Sequence, residues 1–254
     1  MLHALVLAIT LGKLLYEVQL FALSPAFPRT SKRIYQIFKI APASYNAQYI
    51  MHSIRARKTE IIPRFFTLAL RFPICKRDVV DILYRRVLRG NASQKDCELP
   101  KRLFRVLKSK PRNRPFEKND EPLPFLEYLY NISGLRPDPN SHEGYALKKA
   151  VCACHEPLIQ FLLEHDASPR YKNGQCIFLA IRQQNLALVK MLIERDDKND
   201  TKGKRRKLED RIVASTQMLK MAVKCNAHDI AEYLTQEKGI IPDMQTLLEI
   251  SRML

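Results

Sequence analysis

The sequence predicts an all-α fold, an irregular helical-repeat solenoid with an N-terminal helical cap. Three observations predict it. First, residues 144–193 hold two copies of one unit thirty residues apart, with Ala150 matching Ala180, Leu158 matching Leu188 and Leu162 matching Leu192. A fixed period of about 30–35 residues is the mark of a helical repeat array. Second, the apolar residues within each copy recur at i, i+3 and i+4, the spacing of one helix face. Leu147, Ala150 and Val151 make one such face, and Leu158, Ile159, Leu162 and Leu163 make the next. Few residues separate the two runs, so the helices fold back as an antiparallel pair. Such a pair cannot bury its apolar side alone, but a stack of pairs can. Third, only 7 of the 254 residues are glycine, which disfavours an all-β chain of tight turns.

In chain order, residues 2–23 are strongly apolar. His3, Thr10, Glu17 and Ser24 recur every seven residues, with Lys13 beside them, as one polar stripe on an otherwise buried helix. A membrane span wants about 18 or more uninterrupted apolar residues, and Lys13 and Glu17 interrupt this run. No Lys or Arg precedes it, as a secretory signal requires. Residues 1–46 are expected to form the helical cap, with a targeting segment as the alternative reading. Pro25 and Pro28 end the first helix. Residues 29–41 form a second, with Ile34, Ile37 and Phe38 on one side.

Repeats are expected over residues 47–254. Ile50, Ser53, Ile54, Ile61, Ile62, Phe65 and Phe66 fall at the offsets of Leu147, Ala150, Val151, Leu158, Ile159, Leu162 and Leu163. A more distorted unit runs over 68–88, with Val79, Val80, Ile82, Leu83 and Tyr84 on its second helix. Residues 90–100 read as a polar connection. A further first helix spans 103–107 and its partner 125–130, separated by a proline-rich inserted loop at 109–124. A second loop, 136–144, leads into the clearest repeats, 144–236. After Ile193 the period breaks. Leu219, Ala222, Val223, Ile230, Ala231, Tyr233 and Leu234 form the next copy, and Ala180 to Ala222 is 42 residues against 30 before. The polar stretch 196–211 is the insertion. Residues 244–254 close the stack, with Asp243 as helix N-cap.

These units resemble an ankyrin repeat. Leu147, Ala150, Val151, His155, Leu158, Ile159, Phe161, Leu162, Leu163 and Ala167 match that family's frame, as does the loop 164–169. The family's threonine–proline pair is replaced by Tyr145-Ala146 and by Gln175-Cys176, and Asp166 and Asp196 stand where the family has a left-handed glycine. The resemblance therefore implies a degenerate ankyrin-like solenoid. It also implies protein binding through loop tips and the concave face of the first helices, which makes Lys148, Lys149, Phe178, Arg182 and Gln183 the candidate contacts.

Charge adds a second expectation. Residues 1–115 hold 23 Lys and Arg against 6 Asp and Glu, the whole net +17, while residues 116–254 hold 20 of each. Such asymmetry points to an anionic partner for the basic N-terminal half: an acidic protein, nucleic acid or a membrane surface. Lys202, Lys204, Arg205, Arg206 and Lys207 form a basic run that a nuclear import receptor reads, that phosphates attract, or that water alone solvates.

No catalytic constellation emerges: there is no glycine-rich phosphate loop, zinc-binding histidine–glutamate helix or nucleophile elbow. Cys152, Cys154, His155 and Cys176 do not suggest a metal. Residues two apart on a helix point about 200° apart, and His155 falls in the inter-helix turn. The scattered cysteines read as reduced core thiols. The aromatic residues Tyr35, Phe38, Tyr45, Tyr49, Phe65, Phe66, Phe72 and Tyr84 fall mostly on apolar helical faces, as core rather than as a stacking platform for nucleic acid. The expectation is a non-enzymatic scaffold or adaptor, nuclear or cytoplasmic, with an acidic protein partner and no cofactor. The alternative is a nucleic-acid-associated nuclear protein using the same basic surface.

Overall fold

Apolar spacing of three and four residues becomes helix along most of the chain. The computed structural model describes residues 2–56, 64–87, 95–110, 114–194 and 210–253. It is mostly helical, with fourteen α-helices among those residues and one small parallel sheet of two strands. The chain forms two compact units, Met1–Arg102 with Glu127–Pro137, and Leu103–Leu126 with Asp138–Leu254.

In the first unit α1 (Leu2–Ala22) packs along α3 (Ala43–Arg55), and α2 (Lys32–Lys39) follows a short 3-10 turn at Phe27–Arg29. Aromatic rings fill the junction. Tyr16 stacks on Tyr45 with centroids 4.4 Å apart, meets Phe38 edge-on at 5.5 Å, and donates its hydroxyl to the Ile37 carbonyl at 3.1 Å. The helix expected to be buried apart from one polar stripe is packed on one side only. Gly12 and Gln19 face inward, while Leu11, Leu14, Val18 and Phe21 stand in solvent, Phe21 at 90% exposure. Among the described residues no helix is long and apolar enough to cross a membrane.

The repeat expected at 50–66 is not a self-contained helix pair. Ile50, Ser53 and Ile54 are buried on α3, but Phe65 and Phe66 begin a helix, α4 (Phe65–Ala69), and α3 packs most extensively on α5 (Arg77–Val87). Ile61 and Ile62 lie outside the described residues. A helix through 61–66 would hold Pro63 in its interior, losing an amide and clashing with the preceding turn. Val79, Val80 and Leu83 are the buried face of α5, as the spacing predicts.

The all-α expectation is corrected at two places read as connections. Residues Lys95–Glu98 form β1 and Leu135–Asp138 form β2, paired in parallel. Cys97 and Leu99 on one side, and Leu135 and Pro137 on the other, turn inward on alternate residues, the period of a strand with one buried face. The Glu98 amide donates to Thr67 Oγ1 at 3.0 Å. The Arg102 guanidinium donates to the Leu70 carbonyl at 2.6 Å, closing the turn before α6 (Arg102–Arg105). The next helix, α7 (Leu123–Tyr130), begins in the second unit and ends in the first.

The second unit contains three helix pairs: α8 (Ser141–Ala153) with α9 (Glu156–Glu164), α10 (Tyr171–Arg182) with α11 (Leu186–Ile193), and α12 (Thr216–Lys224) with α13 (His228–Glu232). The last continues through a π turn at Tyr233–Glu237. First helices pack on first helices, α8 on α10 and α10 on α12. Second helices pack likewise, α9 on α11 and α11 on α13. Ala150, Ala180 and Ala222 on these first helices have no exposed surface. Small side chains there let the backbones approach.

Each pair closes in one way. Cys154, Gln184 and Asn226 adopt left-handed φ of 56°, 52° and 52°. The next amide then reaches back five residues: His155 to the Ala150 carbonyl at 3.0 Å, Asn185 to Ala180 at 3.3 Å, and Ala227 to Ala222 at 2.9 Å. This is the Schellman termination of a helix. The same residues start the second helix, His155 Nδ1 accepting from the Leu158 amide at 3.2 Å and Asn185 Oδ1 from the Leu188 amide at 3.0 Å. Asp166 takes the left-handed conformation that its glycine-like position demands, φ 62°. Asp196 lies outside the described residues.

Each of the first two repeats also opens on a left-handed turn, His142–Gly144 and Lys172–Gly174. Glycine ends each turn, where a side chain would crowd a neighbour. A Cβ on Gly144, at φ 69°, would lie 3.2 Å from the Tyr171 Cβ, and one on Gly174, at φ 74°, would lie 3.1 Å from Ile212 Cδ1.

The loops between repeats are tied by side chains. Asn140 donates to the Asp166 carbonyl at 3.1 Å and accepts from the Ser168 amide at 2.8 Å. Arg211, the last residue of the insertion, donates its guanidinium to the carbonyls of Glu194 and Leu163, at 3.1 and 3.3 Å. Beside it Lys238 contacts Asp210 at 2.9 Å and Glu194 at 3.1 Å, and the Tyr233 hydroxyl donates to Glu194 at 2.8 Å. The closing helix, α14 (Met244–Met253), packs on α12. Asp243 caps it as expected, accepting from the Thr246 amide at 3.0 Å.

The loop read as a plain insertion folds back on a repeat. Phe116 stacks on the fully buried His155 ring, centroids 4.2 Å apart and 15° from parallel. Lys110 lies over Phe116 at 4.4 Å and pairs with Asp120 at 2.6 Å. Burial pushes the His155 imidazole below its ordinary pKa, and the Asp120 carboxylate opposes this in part. The unfolded chain therefore binds the His155 proton more readily than the fold does. The resulting stability is fully present above the unfolded histidine pKa, about 6.5, and falls as pH drops below it. His155→Asn keeps a cap acceptor, as Asn185 supplies one repeat on. This variant is expected to flatten the fall in melting temperature between about pH 6.5 and pH 5. An unchanged slope in thermal melts would remove His155 as its source.

Candidate protein interface

The outward positions of the first helices are set by the buried ones. Counted from the buried Ala150, Ala180 and Ala222, the residues two before each are Lys148, Phe178 and Lys220. One before stand Lys149, Leu179 and Met221, and two after stand Cys152, Arg182 and Lys224. These rows run across the stack on one face.

Between α10 and α12 the rows enclose an open groove of about 480 Å³. Phe178, Leu179 and Met221 make its apolar floor, and Arg182, Lys220 and Lys224 line its rim. Lys220 pairs with Asp243 at 2.6 Å, and this lysine holds the Asp243 carboxyl below the usual carboxylate range. Lys148, Lys149, Arg182 and Lys224 make no ion pair with a carboxylate of the described residues.

Charge on the three pairs is segregated. Residues 145–153, 175–182 and 216–224 contain five cations and no Asp or Glu. Glu156, Glu164, Asp229, Glu232 and Glu237 sit on or directly after the second helices, while Glu143, in the turn that opens α8, pairs with Lys172 at 3.1 Å. Arg182 and Lys224 fall in last turns, where cations complement the helix dipole, but Lys148, Lys149 and Lys220 lie further in and gain little from it.

Four of the five candidate contacts thus share this face. Gln183 does something else: its amide donates to the Val151 carbonyl at 3.1 Å, tying α10 to the end of α8. Lys220, Met221 and Lys224 escape a reading confined to the two clearest repeats, although they stand at the same offsets from Ala222 as Phe178, Leu179 and Arg182 do from Ala180. Lys202, Lys204, Arg205, Arg206 and Lys207 lie outside the described residues.

The cysteine and histidine group is dispersed in role. Cys154 is the left-handed residue closing α8, and His155 Nδ1 is occupied by the cap. Burial pushes the Cys176 thiol up to about 12, with the nearby Cys152 raising it further and Lys148 lowering it. No metal-holding group of His, Cys, Asp or Glu occurs among the described residues. In the first unit, Arg55, Arg71, Lys76, Arg77, Arg85 and Arg86 are exposed, whereas Tyr45, Tyr49, Phe65 and Phe66 are buried and Tyr35 is the exposed ring of the aromatic set.

No family model, no curated protein and no solved structure matches the chain.

Substitution separates the two sides of these helices. Ala180→Leu overpacks a fully buried position and is expected to cost about 1–3 kcal/mol. Arg182→Ala and Lys224→Ala, on the open face, are expected to stay within about 0.5 kcal/mol of the parent. Urea unfolding followed by circular dichroism measures both. A large loss at Arg182 or Lys224 would make those cations structural.

Proposed function

We propose that the chain is a non-enzymatic protein–protein interaction module, a degenerate ankyrin-like solenoid that recognises an acidic partner. The observation that carries this reading is the unbalanced charge of the first-helix face, five cations with no Asp or Glu in residues 145–153, 175–182 and 216–224, over a stack whose closure requires none of them. Helix pairs at a thirty-residue period, packed first helix on first helix, support the ankyrin-like assignment. The basic first unit supplies a further cationic surface through Arg55, Arg71, Lys76, Arg77, Arg85 and Arg86. Most aromatic rings there are buried or half-buried, with Phe21 and Tyr35 exposed, and this favours a protein partner over single-stranded nucleic acid, which binds by stacking on exposed rings.

Affinity purification of the full chain, with and without nuclease and at low and high salt, tests the reading. Acidic proteins are expected to survive nuclease and to be released by salt. Recovery of nucleic acid alone, lost on nuclease treatment, would overturn it in favour of a nucleic-acid-associated nuclear protein, with affinity falling steeply as salt displaces phosphate contacts.

Nuclear import is the role proposed for the basic run. Replacing Lys204, Arg205, Arg206 and Lys207 with alanine is expected to abolish nuclear accumulation of a fluorescent fusion, and unchanged localisation would refute that role.

A further inference from the structure

We infer that the groove between α10 and α12 is a docking site for an acidic peptide segment built around one bulky apolar side chain. This rests on the interaction-module reading and narrows it to one place and one recognition chemistry.

The floor and the rim make separate demands. Phe178, Leu179 and Met221 present apolar surface that water covers in the free protein, and methionine adapts to irregular apolar shapes. A phosphate backbone has nothing to place on such a floor, whereas an aromatic or branched aliphatic side chain fills it and gains by leaving water. The rim is cationic on both helices. Phe178 and Arg182 are one turn apart on α10, as Lys220 and Lys224 are on α12, so each helix offers its cations beside the floor. Lys220 is already engaged by Asp243. Arg182 and Lys224 remain as the two cations with no carboxylate partner among the described residues, one on each bank.

That arrangement sets the spacing of the occupant. Packed helices lie about 8–10 Å apart, so two carboxylates reaching Arg182 and Lys224 must be separated by a similar distance. An extended chain rises about 3.3 Å per residue, which places the acids roughly three residues apart with the apolar side chain between them. Arginine adds a planar two-pronged donor for one of the carboxylates.

The site lies within the half of the chain whose net charge is zero. Acidic recognition therefore does not depend on the basic first unit. Second-helix carboxylates hide the groove's charge from any tally over the sequence.

The test uses the full chain and a fluorescein-labelled peptide in which two glutamates flank a phenylalanine in a glycine–serine background, read by fluorescence anisotropy at physiological salt. Saturable binding is expected, weakened at least tenfold by the double variant R182E/K224E and at least fivefold by serine in place of the peptide's phenylalanine. Thermal melts of the variant establish that it folds, and Met221→Lys, which removes part of the floor and adds charge, is expected to weaken binding although it makes the groove more basic. Absence of saturable binding overturns the inference. So does binding indifferent to R182E/K224E, or equal binding of the peptide without phenylalanine. If binding is instead lost on R85E/R86E in the first unit and kept in R182E/K224E, the groove inference falls while the module reading stands. If only a single-stranded oligonucleotide binds, both fall.

Discussion

The backbone carbonyls of Ala150, Ala180 and Ala222 are the points on which the second unit depends. Each accepts an amide from five residues on, across a left-handed residue, and this reverses the chain between the helices of a pair. The same alanine is fully buried, where its methyl group takes up little space between packed helices. One position therefore serves both the turn within a pair and the packing around it. A larger residue would force the crossing apart, and a turn without the left-handed residue would leave helix-end carbonyls unpaired in a buried place. His155 and Asn185 extend the device by capping the next helix with the side chain of the residue whose amide closes the last one.

Fixing that position partitions the rest of the surface. Every side chain on a first helix is inward, at a crossing, or outward on one shared face, and the assignment repeats by offset from the alanine. The outward rows then differ freely without affecting closure, and here they carry cations around an apolar strip. The opposite side of the stack bears the polar network of Glu194, Asp210, Tyr233 and Lys238, where carboxylates and cations meet within 3.1 Å. Opposite charges are thus used for cohesion on the second-helix side, whereas on the first Lys148, Lys149, Arg182 and Lys224 are left without a carboxylate partner among the described residues.

This division explains what the sequence makes legible. Positions that repeat by offset can be read from one dimension: the three alanines, the leucines of α9 and α11, and hence Lys148, Lys149, Phe178 and Arg182 as outward residues. Lys220, Met221 and Lys224 were equally readable once Ala222 is matched to Ala180. Contacts outside the period leave no such trace. Phe116 meets His155 across a proline-rich stretch with no regular spacing. The strands each span four residues, too few for alternation to stand out, and Pro137 in one of them reads as a loop residue although an edge strand tolerates it. Gln183 sits one position from the groove in sequence, but on a helix one position is a turn of about 100°, enough to send its amide to Val151 instead.

The broken period tests whether the stack or the spacing governs the fold. Residues 165–170 join α9 to α10, whereas residues 194–215 join α11 to α12, nearly two doublings of length. Closing a longer connection costs about 0.6 kcal/mol per doubling, so the insertion weakens the third pair's docking by only about 1 kcal/mol. Arg211 and Lys238 stand at its base and offset this. Arg211 donates to the carbonyl ends of two successive second helices, and Lys238 joins Glu194 before the insertion to Asp210 near its end. Both residues lie on the second-helix side. Helix α10 packs on α12 across the insertion as α8 packs on α10 without one, and the groove lies along that contact.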